Sequence, residues 1–152
     1  MIVRPFAPDD APAVAALVVD TMLRSSTRDY PIERLQPVMG YFTPARMIQL
    51  AAERYCLVAQ DERGRVIATA ALDGSELATF FVLPEQQGRG VGARLLDALE
   101  RHARESGIAK IEVKSSLGGV PFYERRGYER TGAVIDDAVG RRIVLEKTLR
   151  DR

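Results

Sequence analysis

The chain has 152 residues, 46% of them apolar and 28% charged, with 22 Lys and Arg against 21 Asp and Glu. The resulting net charge of +1 leaves no electrostatic footprint for nucleic acid or a membrane surface, and no apolar run approaches the roughly 18 residues of a membrane span. One cysteine, Cys56, and one histidine, His102, exclude an intramolecular disulfide and a structural zinc site. A reducing cytoplasm is the expected location and no metal is expected.

The length is that of one domain, expected over residues 1–152. MIVRPFAPDD at the start lacks the apolar run of a signal peptide. Residues 2–6 read as a short strand, followed by a helix capped by Asp9 or Asp10 with Pro12 in its first turn. RSSTRDYP reads as a loop, and IERLQPVMGYF as a short helix broken near Pro37 and Gly40. Thr43 and Pro44 open a better helix, TPARMIQLAAER.

From Tyr55 the pattern turns to β. YCLVAQ, RVIATAAL and ELATFFVL are three successive strands separated by the turns DERG and DGS. A helix follows in which Val91, Leu95, Leu99 and Ala103 recur every four residues, closed by Gly107. Residues 108–114 are a strand and 120–126 a short helix ended by Gly127. Residues 128–135 and 142–149 form a final hairpin. The order β-αα-βββ-α-β-α-ββ is that of an α/β (α+β) domain with a mixed sheet flanked by helices.

The most informative stretch is Gln87-Gly88-Arg89-Gly90-Val91-Gly92, between a strand and a helix N-terminus. Unpaired N–H groups and the partial positive charge of a helix start suit a phosphate, and glycines let it come close. A dinucleotide loop half-fits, but Pro84 to Gln87 intervene after the strand, and no acidic residue ends the next strand to bind a ribose. A plain glycine turn also fits, though each glycine costs roughly 0.5–1 kcal/mol against Ala. The third reading is a cradle for the pyrophosphate of an acyl-CoA.

V82-x-P84-x-x-Q87-x-x-G90-x-G92 resembles the acyl-CoA signature of the GNAT superfamily of N-acetyltransferases. Pro121-Phe122-Tyr123-Glu124-Arg125-Arg126-Gly127-Tyr128 resembles that family's second signature, in the proper order and spacing. The resemblance implies a GNAT-like acyl-CoA N-acyltransferase fold and acetyl-CoA as co-substrate. It implies that backbone N–H groups of Gly88, Arg89, Gly90, Val91 and Gly92, with the Arg89 side chain and Gln87 nearby, grip the pyrophosphate. It also implies that the strand carrying Phe80 and Val82 binds the pantetheine arm through its backbone, the Val82 N–H donating to the acyl oxygen.

By the same resemblance Tyr123 is a candidate general acid for the departing thiolate, against the plainer role of an aromatic anchor. Glu76 is a candidate base, since strand alternation puts Glu76, Ala78, Phe80 and Val82 on one face; a solvated charge at a strand start is the plainer role. Many family members carry Asn where Ser116 stands, and Ser116 is the expected hydrogen-bonding group to the CoA arm. The expected acceptor is a primary amine of a small or amino-acid-like molecule. It would be read by residues about 20–55 and the final hairpin, with Tyr30 a candidate contact and Tyr41, Arg24, Arg28 and Arg34 further ones. A non-catalytic acyl-CoA-binding module and a protein N-terminal acetyltransferase are the alternatives. The final strands are plausible edges for a homodimer.

Overall fold

The structure, a computed structural model, describes residues 1–150. One seven-stranded sheet runs through it. Its strands are β1 (Ile2–Pro5), β2 (Tyr55–Gln60), β3 (Val66–Asp73), β4 (Glu76–Val82), β5 (Lys110–Ser115), β6 (Glu129–Asp136) and β7 (Arg141–Thr148). The spatial order is β1-β2-β3-β4-β5-β7-β6, and only the β4–β5 pair is parallel. The helices are α1 (Ala11–Arg24), α2 (Ile32–Tyr41), α3 (Pro44–Glu53), α4 (Val91–Glu105) and α5 (Val120–Arg125).

Helix α4 forms as its periodicity predicts: Val91, Leu95, Leu99 and Ala103 are all buried against the sheet. Gly107 takes φ +78°, the Ile108 N–H returns to the Ala103 carbonyl at 2.9 Å and the Gly107 N–H to the Arg104 carbonyl at 3.1 Å, so two orphan carbonyls of the last turn are closed. The Thr43 hydroxyl accepts from the Arg46 N–H at 3.2 Å, the expected cap of α3.

Two expectations fail locally. Asp10 precedes α1, but its carboxylate does not cap that helix; it accepts from Arg4 at 2.7 and 2.8 Å and from the Ala7 N–H at 2.7 Å. A charged guanidinium outcompetes a helix N–H. Nor is α2 broken at Pro37, which sits inside a continuous helix. Pro37 is exposed, so water can take the Glu33 carbonyl it leaves free, while Leu35 on the opposite side buries against Tyr30 and Val139.

Register assigns the two faces of the sheet. Cys56 and Val58 pair with Ala71 and Thr69 on one face; Tyr55 and Leu57 pair with Leu72 and Ala70 on the other. Phe42, which follows α2, meets Phe81 at a ring separation of 6.2 Å, so Phe81 and its partner Thr69 mark the α1–α3 face. His102 of α4 stacks on Tyr55 at 3.4 Å, which marks the other face.

Helix α4 is tied to the last hairpin through Glu100, which is buried yet paired. It accepts from the Tyr128 hydroxyl at 3.0 Å and from Lys147 at 2.8 Å. A donor on each oxygen, one a neutral phenol and the other a lysine ammonium, is what makes its burial tolerable.

Candidate active site

Strand β4 decides the site. It pairs with β5 at two positions only, Glu76 with Glu112 and Leu77 with Val113, and then leaves it. At the same level the β3 register slips between Thr69 and Ala71, and Thr79 takes φ +53°, a left-handed conformation rare outside glycine. This is a β-bulge, with Thr79 and Phe80 opposing Ala70. Arg54 holds the bulged residue, donating to the Thr79 hydroxyl at 3.2 Å.

The bulge overturns the expected alternation. Glu76 and Ala78 share the α1–α3 face with Phe81, because their partners Asp73, Ala71 and Thr69 lie there. Phe80 instead turns to the α5 side, 5.7 Å from the Phe122 ring and 6.1 Å from the Tyr123 ring. Glu76 therefore does not share a face with Phe80 and Val82.

Beyond the bulge β4 still bonds to β3. The Leu83 N–H donates to the Ile67 carbonyl at 3.0 Å, which turns the N–H and C=O of Val82 the other way, toward the split. The Val82 carbonyl there accepts from Gln87 Nε2 at 3.0 Å. Between the parted strands opens a cleft of about 1010 Å³, lined by β4, the glycine loop, α5, the α1–α2 connection and the final hairpin.

The glycine loop forms the cleft's other wall. Gly88 and Gly90 have φ of +77° and +83°, and a Cβ at either would meet nothing within 4 Å. Those glycines serve a left-handed turn beside open space. Gly92 is different: a Cβ there would meet the Phe80 and Phe122 rings at 3.4 Å, where α4 packs beside β4 and α5. Among the described residues nothing accepts the N–H groups of residues 88–92. Five free donors round a left-handed turn at a helix start are what an anionic pyrophosphate needs.

The expected contacts divide. Gly88, Gly90 and Gly92 line the cleft. Val91 is buried at 4% exposure, so only its backbone can reach a ligand. Arg89 is exposed and outside the cleft lining. Gln87 spends its amide within the protein, donating to Ser25 Oγ at 3.1 Å and to Val82; its part is to fix the loop against α1 and β4. Ser116 lines the cleft, and its hydroxyl accepts from the Gly119 N–H at 3.2 Å, leaving its own proton to donate.

Tyr123 is packed among Phe80, Phe122 and Tyr128 and is 7% exposed. It lines the cleft, and its hydroxyl bonds to no other group among the described residues. Burial pushes its phenol above the ordinary range, so it is protonated at neutral pH. Glu76 lines the same cleft from the other face and pairs with Lys114 at 3.2 Å.

Tyr30 also lines the cleft but is buried at 6%. Its hydroxyl donates to the Arg141 carbonyl at 2.7 Å, and its ring lies where a Cβ on Gly140 would clash at 2.6 Å. Its main work is to lock the α1–α2 connection onto the β6–β7 turn. Arg28 is on the cleft's rim, whereas Arg24 is engaged by Asp20 and Glu85 outside it, and Arg34 and Tyr41 do not line it. Sequence reading missed Arg54, Lys114, Asp137 and Arg142, which all line the cleft. They are scattered from 54 to 142 with no motif to join them.

Burial raises the phenols of Tyr30, Tyr123 and Tyr128 and the thiol of Cys56. The unfolded chain ionises these groups from about pH 8.5 for the thiol and about 10 for the phenols, while the fold keeps them neutral. Stability is therefore full below those values and is lost as pH rises through them. The expected result is a Tm that holds to about pH 8.5 and falls increasingly above about pH 10. Thermal melts by circular dichroism from pH 7 to 11 check it, and a flat profile would refute the buried phenols.

Comparison with known proteins agrees with this geometry. Residues 26–147 match the family model described as an acetyltransferase (GNAT) domain. An uncharacterized acetyltransferase of Streptococcus pyogenes is 30% identical over 70 residues, 46% of this chain and 47% of that protein, so the match spans about half the length of the curated relative. A GCN5-related N-acetyltransferase from Rhodopseudomonas palustris has a TM-score of 0.88 at 25% identity, over 97% of this chain and 95% of that one. The PaiA N-acetyltransferase of Thermoplasma acidophilum, solved in complex with coenzyme A, has a TM-score of 0.83 at 17% identity, over 97% and 98% of the two chains. The family model covers most of the sequence, both of the parted strands and the glycine loop included, and the chain belongs to the GNAT acetyltransferase family.

Proposed function

We propose that the protein transfers an acetyl group directly from acetyl-CoA to a primary amine of a small or amino-acid-like acceptor. The observation that carries this is the split between β4 and β5, flanked by the free N–H groups of the glycine loop and by a buried tyrosine hydroxyl with no partner among the described residues. The loop N–H groups of residues 88–92 hold the pyrophosphate. The outward backbone groups of Phe80 and Val82 hold the pantetheine arm as an added strand would, with Ser116 donating to it from the far side. The Val82 N–H is the donor to the carbonyl oxygen as charge develops there.

The acceptor enters from the α1–α3 face. Its ammonium must lose a proton before the amine nitrogen can bond to the carbonyl carbon, and Glu76 takes that proton through a water. The carbon–sulfur bond then breaks, and Tyr123 stands ready to protonate the thiolate. Cys56 is half-buried with its thiol pushed up by burial, a poor nucleophile, in keeping with direct transfer. A lone cysteine suits a reducing compartment such as the cytoplasm. The exposed β6 edge suits a homodimer. Among the described residues no helix is long and apolar enough to cross a membrane.

Acetyl-CoA binds only the folded state in this reading, so it raises Tm. A hundredfold excess over Kd adds about 2.7 kcal/mol, or about 5–10 °C for a domain of this size. Differential scanning fluorimetry with millimolar acetyl-CoA, and with NAD as control, is the measurement. No shift, or a shift with NAD alone, overturns the reading. Release of free thiol with a panel of amines then separates an enzyme from a non-catalytic acyl-CoA-binding module.

A further inference from the structure

The face of the sheet that carries Glu76 also carries a row of charges. Register puts Lys114 of β5 opposite Val144 of β7, so Arg142, two residues from Val144, shares that face. Arg142 lies one step past the Ser115–Ile143 pair, beyond the point where β4 has parted from β5. It therefore stands across the split from the bulged end of β4, in the acceptor half of the cleft.

The cations of this half differ in what they have left to offer. Lys114 is paired with Glu76 at 3.2 Å. Arg54 is paired with Asp73 at 3.5 Å and bonded to Thr79. Arg28 rises from an exposed turn at the rim. Arg142 is held at its root and open at its tip. Its Nε is buried and pairs with Asp137 Oδ2 at 2.8 Å without a hydrogen bond, and its two terminal nitrogens donate to nothing among the described residues. Asp137 is itself fixed, Oδ1 accepting from the N–H groups of Val139 at 2.9 Å and Gly140 at 3.1 Å. Tyr30 pins the same turn through the Arg141 carbonyl.

A guanidinium that lines a cleft, paired with an Asp137 fixed on a turn and with neither terminal nitrogen donating within the described residues, is a fork for a carboxylate. We infer that the acceptor is an amine that also carries a carboxylate, and that Arg142 is the residue that binds it. The inference rests on the acetyltransfer proposed above and names the acceptor's class. Polyamines and simple alkylamines would leave this fork unmatched and bring a second positive charge to it.

The test is kcat/KM over a panel of amino acids of increasing chain length, their carboxamides, and spermidine. The wild type should prefer at least one carboxylate over its carboxamide by about tenfold or more, as loss of a partner to a built polar site does. Arg142→Gln and the milder Arg142→Lys should raise KM for that carboxylate by about tenfold or more. They should leave the carboxamide rate and the acetyl-CoA Kd within about twofold. If Arg142→Gln fails to fold, Arg142→Lys and the wild-type panel decide. No transfer to any amine overturns the acetyltransfer reading itself. Transfer with carboxamides or spermidine preferred, or an equal loss on every acceptor in the variants, overturns only the assignment of Arg142.

Discussion

Tyr123→Phe should lower kcat by about 10- to 1,000-fold while leaving acetyl-CoA affinity nearly unchanged. The ring keeps its contacts with Phe80, Phe122 and Tyr128. The hydroxyl bonds to no group of the described residues, so deleting it leaves nothing unpaired and Tm should move by no more than about 2 °C. A group that acts only as the thiolate leaves shows in kcat and little in ground-state binding. The effect should stay below the full range for a general acid, because a thiol with a pKa near about 8.5 is a fair leaving group unaided. Burial also sharpens the pH expectation. It raises the phenol above its ordinary value of about 10, so the wild-type rate should show no alkaline limb from Tyr123 below about pH 10. Steady-state kinetics of the purified variant, with its acetyl-CoA Kd by calorimetry, are the measurements. A variant turning over at the wild-type rate would make Tyr123 an aromatic anchor and nothing more.

Gly90→Glu should abolish acetyl-CoA binding. Gly90 has φ +83° at the start of α4, with open space where its Cβ would go. A side chain there has room, so the fold should survive with the left-handed penalty of about 1–2 kcal/mol. In the proposed binding mode that space is where the pyrophosphate sits, and a carboxylate adds like charge beside it. Gly90→Asn is the control. Asn tolerates the left-handed region and is uncharged, so it carries less backbone strain and should keep more of the affinity. Calorimetry gives both Kd values and thermal melts give both stabilities. Binding of acetyl-CoA to folded Gly90→Glu with wild-type affinity would reduce the loop to an ordinary turn.

Much of this molecule was legible along the chain because its signals are local. The four-residue spacing of Val91, Leu95, Leu99 and Ala103, the cap at Thr43 and the alternation of YCLVAQ and RVIATAAL each depend on neighbours within a few residues. The glycine loop belongs with them, since left-handed turns at Gly88 and Gly90 answer to backbone sterics that glycine alone relaxes freely. Propensity misled where a longer contact outweighed it. Pro37 sits in a continuous helix because its ring faces water, and Asp10 leaves α1 uncapped because Arg4 is the stronger partner.

The site's geometry came from pairings that no local pattern encodes. Alternation along β4 cannot anticipate a bulge at Thr79, because the bulge exists only in the register of β4 against β3. That one extra residue sends Phe80 to Tyr123 and leaves Glu76 on the other face. The same holds for Tyr30, whose hydroxyl finds its partner 111 residues away, and for Arg142, fixed by a turn and aimed by strand order. Local patterning settled which elements form and put a left-handed glycine turn at the start of α4. Where β4 parts from β5 and which charges line the gap followed from strand pairing, since hydrogen-bond register and sheet order are set by contacts between residues far apart in the chain.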